Sequence, residues 1–392
     1  MPSPPNNLID LSNTLVEMIK ERIVSRQGWI GFDEYMEMAL YEPGLGYYSA
    51  GMQKFGEEGD FITAPMMGQW FAGAIARQCE EIFNQFPENQ ERVIMEFGGG
   101  NGDLAAALIP YLNASNQLDR YVFIETSADL QQRQHQRIKD LALEKSVDVS
   151  WLDALPAKGI SGIVIANELL DALPVKRFVI DESGCAIELG VAVVEDELKL
   201  EAGGALNQTL DKDTLQYLNE YQLKPGYHSE IGLQARAWMK TIGEKLTSGA
   251  MILADYGFNG REYYHPDRKE GTLMCHYRHQ AHGDAFLYPG LQDITAHIDF
   301  TGLVEAGENA GLQLAGYGNQ GGFLLSLGVL DQMQEQQSLM DSDPKRWMEI
   351  AAQIKKLTLP HEMGELFKVM VWTTKPIKAL TGFRLQNHRG RL

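Results

Sequence analysis

Val93-Ile94-Met95-Glu96-Phe97-Gly98-Gly99-Gly100-Asn101-Gly102-Asp103 joins a β-rich apolar run to a glycine-rich turn, and the helical stretch Asp103–Leu112 follows it. A strand, a turn without side chains and a helix, in that order, bring bare backbone against a ligand, as nucleotide-type cofactors require. A purely structural strand-to-helix turn has the same look, so the turn does not decide alone. The rest of the chain does more. From Arg92 onward apolar β-rich runs alternate with helical stretches, the pattern of a parallel sheet covered on both faces. Strands are expected at Val93–Phe97, Tyr121–Glu125, Val147–Trp151, Ile163–Ala166 and Ala250–Asp255. Leu312–Tyr317 and Phe367–Thr374 complete a seven-stranded, Rossmann-like α/β sheet whose first strand is Val93–Phe97.

Residues 1–90 read as an N-terminal, mainly helical accessory lobe. Leu8 to Ser25 and Phe32 to Leu40 carry apolar residues at helical spacing, and two aromatic, glycine-punctuated loops follow them. Residues 91–392 read as the sheet domain, interrupted after strands four and five. The first insertion, at about 178–230, opens with an antiparallel meander over Phe178 to Ala202. The second, at about 259–300, is loop-rich and crowded with His, Tyr, Asp and Gly; loops of that length usually carry function or are disordered. A helical insertion is expected at about 324–366.

The 392 residues hold 34 Lys and Arg against 53 Asp and Glu, a formal charge of −19. Nucleic-acid phosphates and anionic lipid both need a basic field, so this balance argues against them as partners. Cys79, Cys185 and Cys275 are widely separated, which indicates neither a disulfide framework nor a metal site. No apolar run approaches the roughly 20 residues that span a bilayer, and the start carries neither a signal nor a transit pattern. A cytoplasmic protein is expected, with a homodimer left open.

Acids give the turn its meaning. Glu125 ends the second strand, where a carboxylate can accept both hydroxyls of an adenosine ribose. Gly100-Asn101-Gly102-Asp103-Leu104-Ala105 also satisfies the dinucleotide register, which keeps a nicotinamide-dependent oxidoreductase in play. Charge separates the two readings. A dinucleotide sets a pyrophosphate on the helix N-terminus, yet Glu96 and Asp103 flank the turn and no Lys or Arg occurs between Arg92 and Arg120. S-adenosylmethionine carries an ammonium and a sulfonium instead, with S-adenosylhomocysteine as its product. Glu96 suits the ammonium, its plainer role being a capping carboxylate. Gly98, Gly100 and Gly102 are the backbone part of that cofactor site.

Four segments together resemble the MidA family of class I methyltransferases: Gly59–Pro65, Glu96–Gly102, Asn167-Glu168-Leu169-Leu170-Asp171-Ala172-Leu173-Pro174, and Gln292–Phe300. The resemblance runs from about Tyr35 to Tyr317, and the last two segments are the most specific. The family includes a mitochondrial arginine methyltransferase that acts in assembly of respiratory complex I. The resemblance implies S-adenosylmethionine as cofactor, a protein arginine as acceptor, and Asp60 and Thr63 beside the cofactor. Two departures stand out. Ala64-Pro65-Met66 replaces the usual Ser-Pro-Glu, removing a carboxylate near the expected cofactor mouth, and Gly99 differs from the residue often found at that place.

Asn167, Glu168 and Asp171 follow the fourth strand, at the carboxyl end of the sheet. Glu168 and Asp171 are three apart, so a helical turn would put both on one face. Such acids fix a guanidinium fork and stabilise the cation that grows on methylation. Helix capping by the same residues is the plainer alternative. His297 is a candidate base or orienting group, although a histidine beside an apolar run is more often structural. Its insertion also holds His279, His282, Asp293 and Asp299, but not at zinc spacing, and no metal is expected. Asp153 and Trp151, past the third strand, are candidates to face the adenine. An assembly factor that binds the cofactor without turnover is the remaining alternative.

Overall fold

The computed structural model describes residues 3–50, 64–67 and 69–392. Asp60 and Thr63, assigned above to the cofactor, lie outside the described residues.

Strand β1 (Val93–Phe97) is buried at all five positions, as a strand covered on both faces must be. It pairs in parallel with β2 (Arg120–Ile124) on one side and, on the other, with β4 (Ile160–Asn167). Strand β3 (Asp148–Leu152) continues the first side, also in parallel. On the second side β5 (Leu246–Phe258) runs parallel to β4. Beyond it lie β7 (Phe367–Thr373) and β6 (Gln313–Asn319), β7 being antiparallel to both β5 and β6. The order is therefore β3-β2-β1-β4-β5-β7-β6. Successive strands step away from β1 in one direction up to β3, and β4 then starts again on its other side. In open α/β sheets the crevice outside the carboxyl ends of the strands at such a reversal is where ligands bind.

The chain divides into two units. The sheet-bearing unit comprises Ile62–Leu170, Trp238–Gly257 and Leu303–Leu392. Helix α1 (Gln69–Phe83) belongs to it, not to an N-terminal lobe ending at residue 90. The reason is packing: its Phe71, Ile75, Cys79 and Ile82 are buried in one core with Leu104, Leu108, Tyr121 and Ile163. Helix α2 (Asp103–Ala114) contributes Leu104, Leu108, Ile109 and Leu112 to that core. Helix α3 (Ala128–Asp140) follows β2 and buries Leu130, Gln134 and Ile138. Between β6 and β7 the chain is mostly helical, with Gln320–Ser326, Val329–Glu335 and Pro344–Thr358 the longer pieces. The basic tail lies along β6: the His388 amide donates to the Tyr317 carbonyl at 2.6 Å and the Arg389 guanidinium to the Leu314 carbonyl at 2.9 Å. Covering an edge strand in this way removes a site for unwanted strand pairing.

The second unit comprises Met1–Phe61, Asp171–Ala237 and Phe258–Gly302. The N-terminal helices and the two insertions, expected as separate additions, form one body. Helices Asn6–Ser25 and Phe32–Tyr41 share a core with Val191 of the first insertion and Cys275 and Ile294 of the second. The first insertion forms antiparallel strands Lys176–Ile180, Ala186–Val194 and Glu197–Ala205, with His228–Ile231 pairing to the first of them. The second insertion is less irregular than expected. Met274–Tyr277 pairs antiparallel with both Gln280–His282 and Asp293–Thr295.

Candidate functional site

The glycine turn leaves β1 through three left-handed residues, Gly98 at φ 65°, Gly100 at φ 50° and Gly102 at φ 82°. The Gly102 amide closes the turn on the Gly99 carbonyl at 2.7 Å, and Gly102 is the residue before α2. Gly99 is needed for room instead of dihedral freedom. A Cβ there would stand 2.9 Å from the Phe123 ring and 3.1 Å from the Glu96 carboxylate, both inside ordinary contact.

Glu96, the fourth residue of β1, is 3% exposed and accepts a hydrogen bond of 2.7 Å from the Tyr121 hydroxyl. Burial raises its carboxyl to about 7, with Glu125 and Asp103 adding to the rise and the Tyr121 hydroxyl opposing it. A carboxylate so placed is stabilised by an incoming cation. Among the described residues, Asn101 in the turn has a buried side-chain oxygen that meets no hydrogen-bond donor, and Asn167 at the end of β4 has another. Buried polar atoms normally find partners, and those without one mark places where a ligand or water completes the set. A buried acid, a turn open to close approach and unmatched acceptors fit a cofactor that brings an ammonium and hydroxyls.

Glu125 follows β2 and is 7% exposed. Its carboxylate accepts from the Ser127 amide at 2.8 Å and from the Gln134 side chain at 3.3 Å. Gln134 also donates to the Gly100 carbonyl at 2.9 Å and accepts from the Trp151 indole at 3.0 Å. Trp151 stacks with Phe123 and with His135. Asp153, just past β3, is exposed. The acids Glu96, Glu125, Asp153 and Glu168 thus stand at the carboxyl ends of four neighbouring strands, β1, β2, β3 and β4.

The exit from β4 differs from expectation. No helix covers residues 168–171, so the helical pairing of Glu168 with Asp171 and the capping alternative both fall away. The backbone amides there are already taken. The Glu168 amide donates to the Ala254 carbonyl of β5 at 2.9 Å, and the Leu170 amide donates to the Asp255 carboxylate at 2.9 Å. Between them Glu168 adopts φ 49°, a left-handed conformation uncommon outside glycine and concentrated at functional sites. Its carboxylate accepts from the Ala64 amide at 3.3 Å and the Asn167 side chain at 3.2 Å.

Asp171 and His297 belong to the second unit. The Asp171 carbonyl accepts from the Ala296 amide at 3.0 Å. His297 stacks on Phe258 with ring centroids 5.1 Å apart, its amide bonded to the Thr272 hydroxyl and its Nδ1 at 3.3 Å from the Thr272 carbonyl. Three further residues carried no expectation. Tyr121 holds Glu96, Asp255 holds the β4 exit, and Gln134 holds Glu125. A signal for the last existed: Leu130, Gln134 and Ile138 are four apart, which puts a glutamine on the apolar stripe of a helix.

A reversed parallel sheet with a glycine turn after its first strand, a buried acid ending that strand and a carboxylate at the end of the second defines a class I S-adenosylmethionine-dependent methyltransferase. The sequence profile of an S-adenosyl-L-methionine-dependent methyltransferase family matches residues 74–318. That is more than half of the chain, which belongs to this, the MidA family. A methyl-transferase-like protein from Burkholderia thailandensis, solved bound to S-adenosyl-homocysteine, superimposes with a TM-score of 0.92 at 38% identity, covering 100% of both chains. A native structure of an uncharacterized Burkholderia thailandensis protein gives 0.90 at 37%, again over 100% of each. Among curated proteins, the mitochondrial protein arginine methyltransferase NDUFAF7 of Danio rerio is 27% identical over 91% of this chain and 86% of its own length. The Homo sapiens protein of that name is 24% identical over 93% and 84%. The cofactor is S-adenosylmethionine.

Proposed function

We propose that the protein methylates an arginine guanidinium in a protein substrate. The observation that carries this reading is the Glu168 carboxylate at the carboxyl end of β4, fixed by Ala64 and Asn167 on a backbone that only surrounding structure can hold. The named activity of the NDUFAF7 relatives supports it.

The cofactor supplies a methyl group bonded to a sulfonium sulfur. Glu96 offsets the positive charge of its amino group, Glu125 receives the ribose, and the glycine turn lets backbone approach. Glu168 accepts N–H hydrogen bonds from the guanidinium, turning one nitrogen's lone pair toward the methyl carbon and stabilising the cation as the C–N bond forms and the C–S bond breaks. The nitrogen then releases a proton to water.

Incubation of the protein with methyl-labelled S-adenosylmethionine and a cell lysate, followed by acid hydrolysis, is expected to yield labelled methylarginine. Glu168→Gln is expected to lower turnover by roughly 100-fold or more while S-adenosylhomocysteine affinity stays within about threefold. Label in another amino acid or in a small molecule would replace the arginine reading, and full turnover by Glu168→Gln would remove Glu168 from it.

A further inference from the structure

Gln134 is 0% exposed and lies on the buried face of α3, where a glutamine is uncommon. Its amide meets three groups that belong to three separate parts of the cofactor site. Nε2 donates to the Gly100 carbonyl and to the Glu125 carboxylate, and Oε1 accepts from the Trp151 indole. The partners leave one amide orientation. Two are acceptors and one is a donor, so the nitrogen must face Gly100 and Glu125 and the oxygen must face Trp151. A carboxylate in its place would have nothing to donate, an ammonium nothing to accept with, and a thioether would do neither well. The backbone side is equally close: a Cβ on Gly102 would meet the Gln134 Cα at 3.6 Å.

We propose that Gln134 is the positioning residue of the cofactor site. It sets the glycine turn, the ribose-binding carboxylate and the Trp151 indole of β3 in one mutual geometry before the cofactor arrives. None of this requires Gln134 to touch the cofactor, and it is independent of which nucleophile is methylated. Without the amide, Glu125 keeps the Ser127 amide but loses a buried donor, the Gly100 carbonyl loses its tie to α3, and the part-buried Trp151 indole loses the acceptor that Gln134 gives it. Each such loss weakens the state in which the three stand together.

The test uses the full-length protein and S-adenosylhomocysteine as the probe, by titration calorimetry and by indole fluorescence. Gln134→Met keeps the volume and removes the amide. Its affinity is expected to fall roughly 10- to 100-fold, the loss of two or three buried hydrogen bonds. With labelled S-adenosylmethionine, KM for the cofactor is expected to rise by a similar factor with kcat changed little. A variant that merely packs less well would lose melting temperature without that split.

Gln134→Glu guards against a folding failure and gives a second readout. It sets a second carboxyl against Glu125, and two adjacent carboxyls share a proton, one of them titrating far above its usual range. Affinity for S-adenosylhomocysteine in Gln134→Glu is therefore expected to recover as pH falls from about 8 toward about 5.5, relative to the wild-type profile. Affinity within about twofold of wild type in Gln134→Met, or a pH profile in Gln134→Glu parallel to the wild type, would overturn the proposal.

Discussion

Glu96 is a carboxylate kept out of water, with a neutral donor, the Tyr121 hydroxyl, as its side-chain hydrogen-bond partner among the described residues. Burial, followed by the charges of Glu125 and Asp103, raises it to about 7. In the unliganded protein the acid is then half neutral near physiological pH, and a cationic amino group draws it into the charged form. Affinity for S-adenosylhomocysteine should rise with pH through about 7 and level off above it, and Glu96→Gln should flatten that profile. Stability responds with the opposite sign. A carboxyl raised in the folded state contributes most when protonated, below its ordinary value, and that contribution is lost as pH rises through about 7. Its ionisation at higher pH costs on the order of 3 kcal/mol. Unliganded Glu96→Gln should consequently melt above the wild type at pH 8, with the gap closing toward pH 4.5. A gap that does not change with pH would mean that Glu96 is not the titrating group. The sequence made Glu96, Glu125 and Glu168 visible as acids at strand ends, and it marked Gln134 only as a glutamine on an apolar stripe; it could not show what Gln134 and Tyr121 hold, because that depends on what α3 and β2 place beside those acids.

At the scale of elements, the glycine turn is a packing device as well as a ligand cradle. Gly99 is the position where that can be measured, since its missing side chain is replaced by the Phe123 ring and the Glu96 carboxylate. Gly99→Ala forces both to move. It should cost about 1–3 kcal/mol in stability and weaken S-adenosylhomocysteine binding at the same time, read by thermal melts and calorimetry on one preparation. Loss of stability with unchanged affinity would confine Gly99 to packing. The turn and its flanking strand and helix were legible because periodicity and glycines are local signals. The β4 exit was not. Asn167 to Asp171 has the composition of a helix start, but the Ala254 carbonyl and the Asp255 carboxylate hold the Glu168 and Leu170 amides around a left-handed Glu168, and both lie more than eighty residues away in the chain.

The same limit operates on the whole molecule. The N-terminal helices were readable from their apolar spacing, and the meander from its alternation, yet no local pattern says that 1–61, 171–237 and 258–302 form one body. The reason is that the pieces share their cores. Helix Asn6–Ser25 buries Leu15, Ile19 and Ile23 on one stripe, so its stability comes from the partners that cover that stripe. Those partners include Val191, Cys275 and Ile294 from the two insertions. A cavity in the helix should therefore be felt far along the chain. Ile19 is 0% exposed, and Ile19→Ala should cost roughly 2–5 kcal/mol. If the three segments share one core, hydrogen exchange should quicken in Ala186–Val194 and Asp293–Thr295 as well as in the helix itself. Faster exchange restricted to Asn6–Ser25 would show instead that the helix is held independently of the insertions, and that the common core does not act as a cooperative unit.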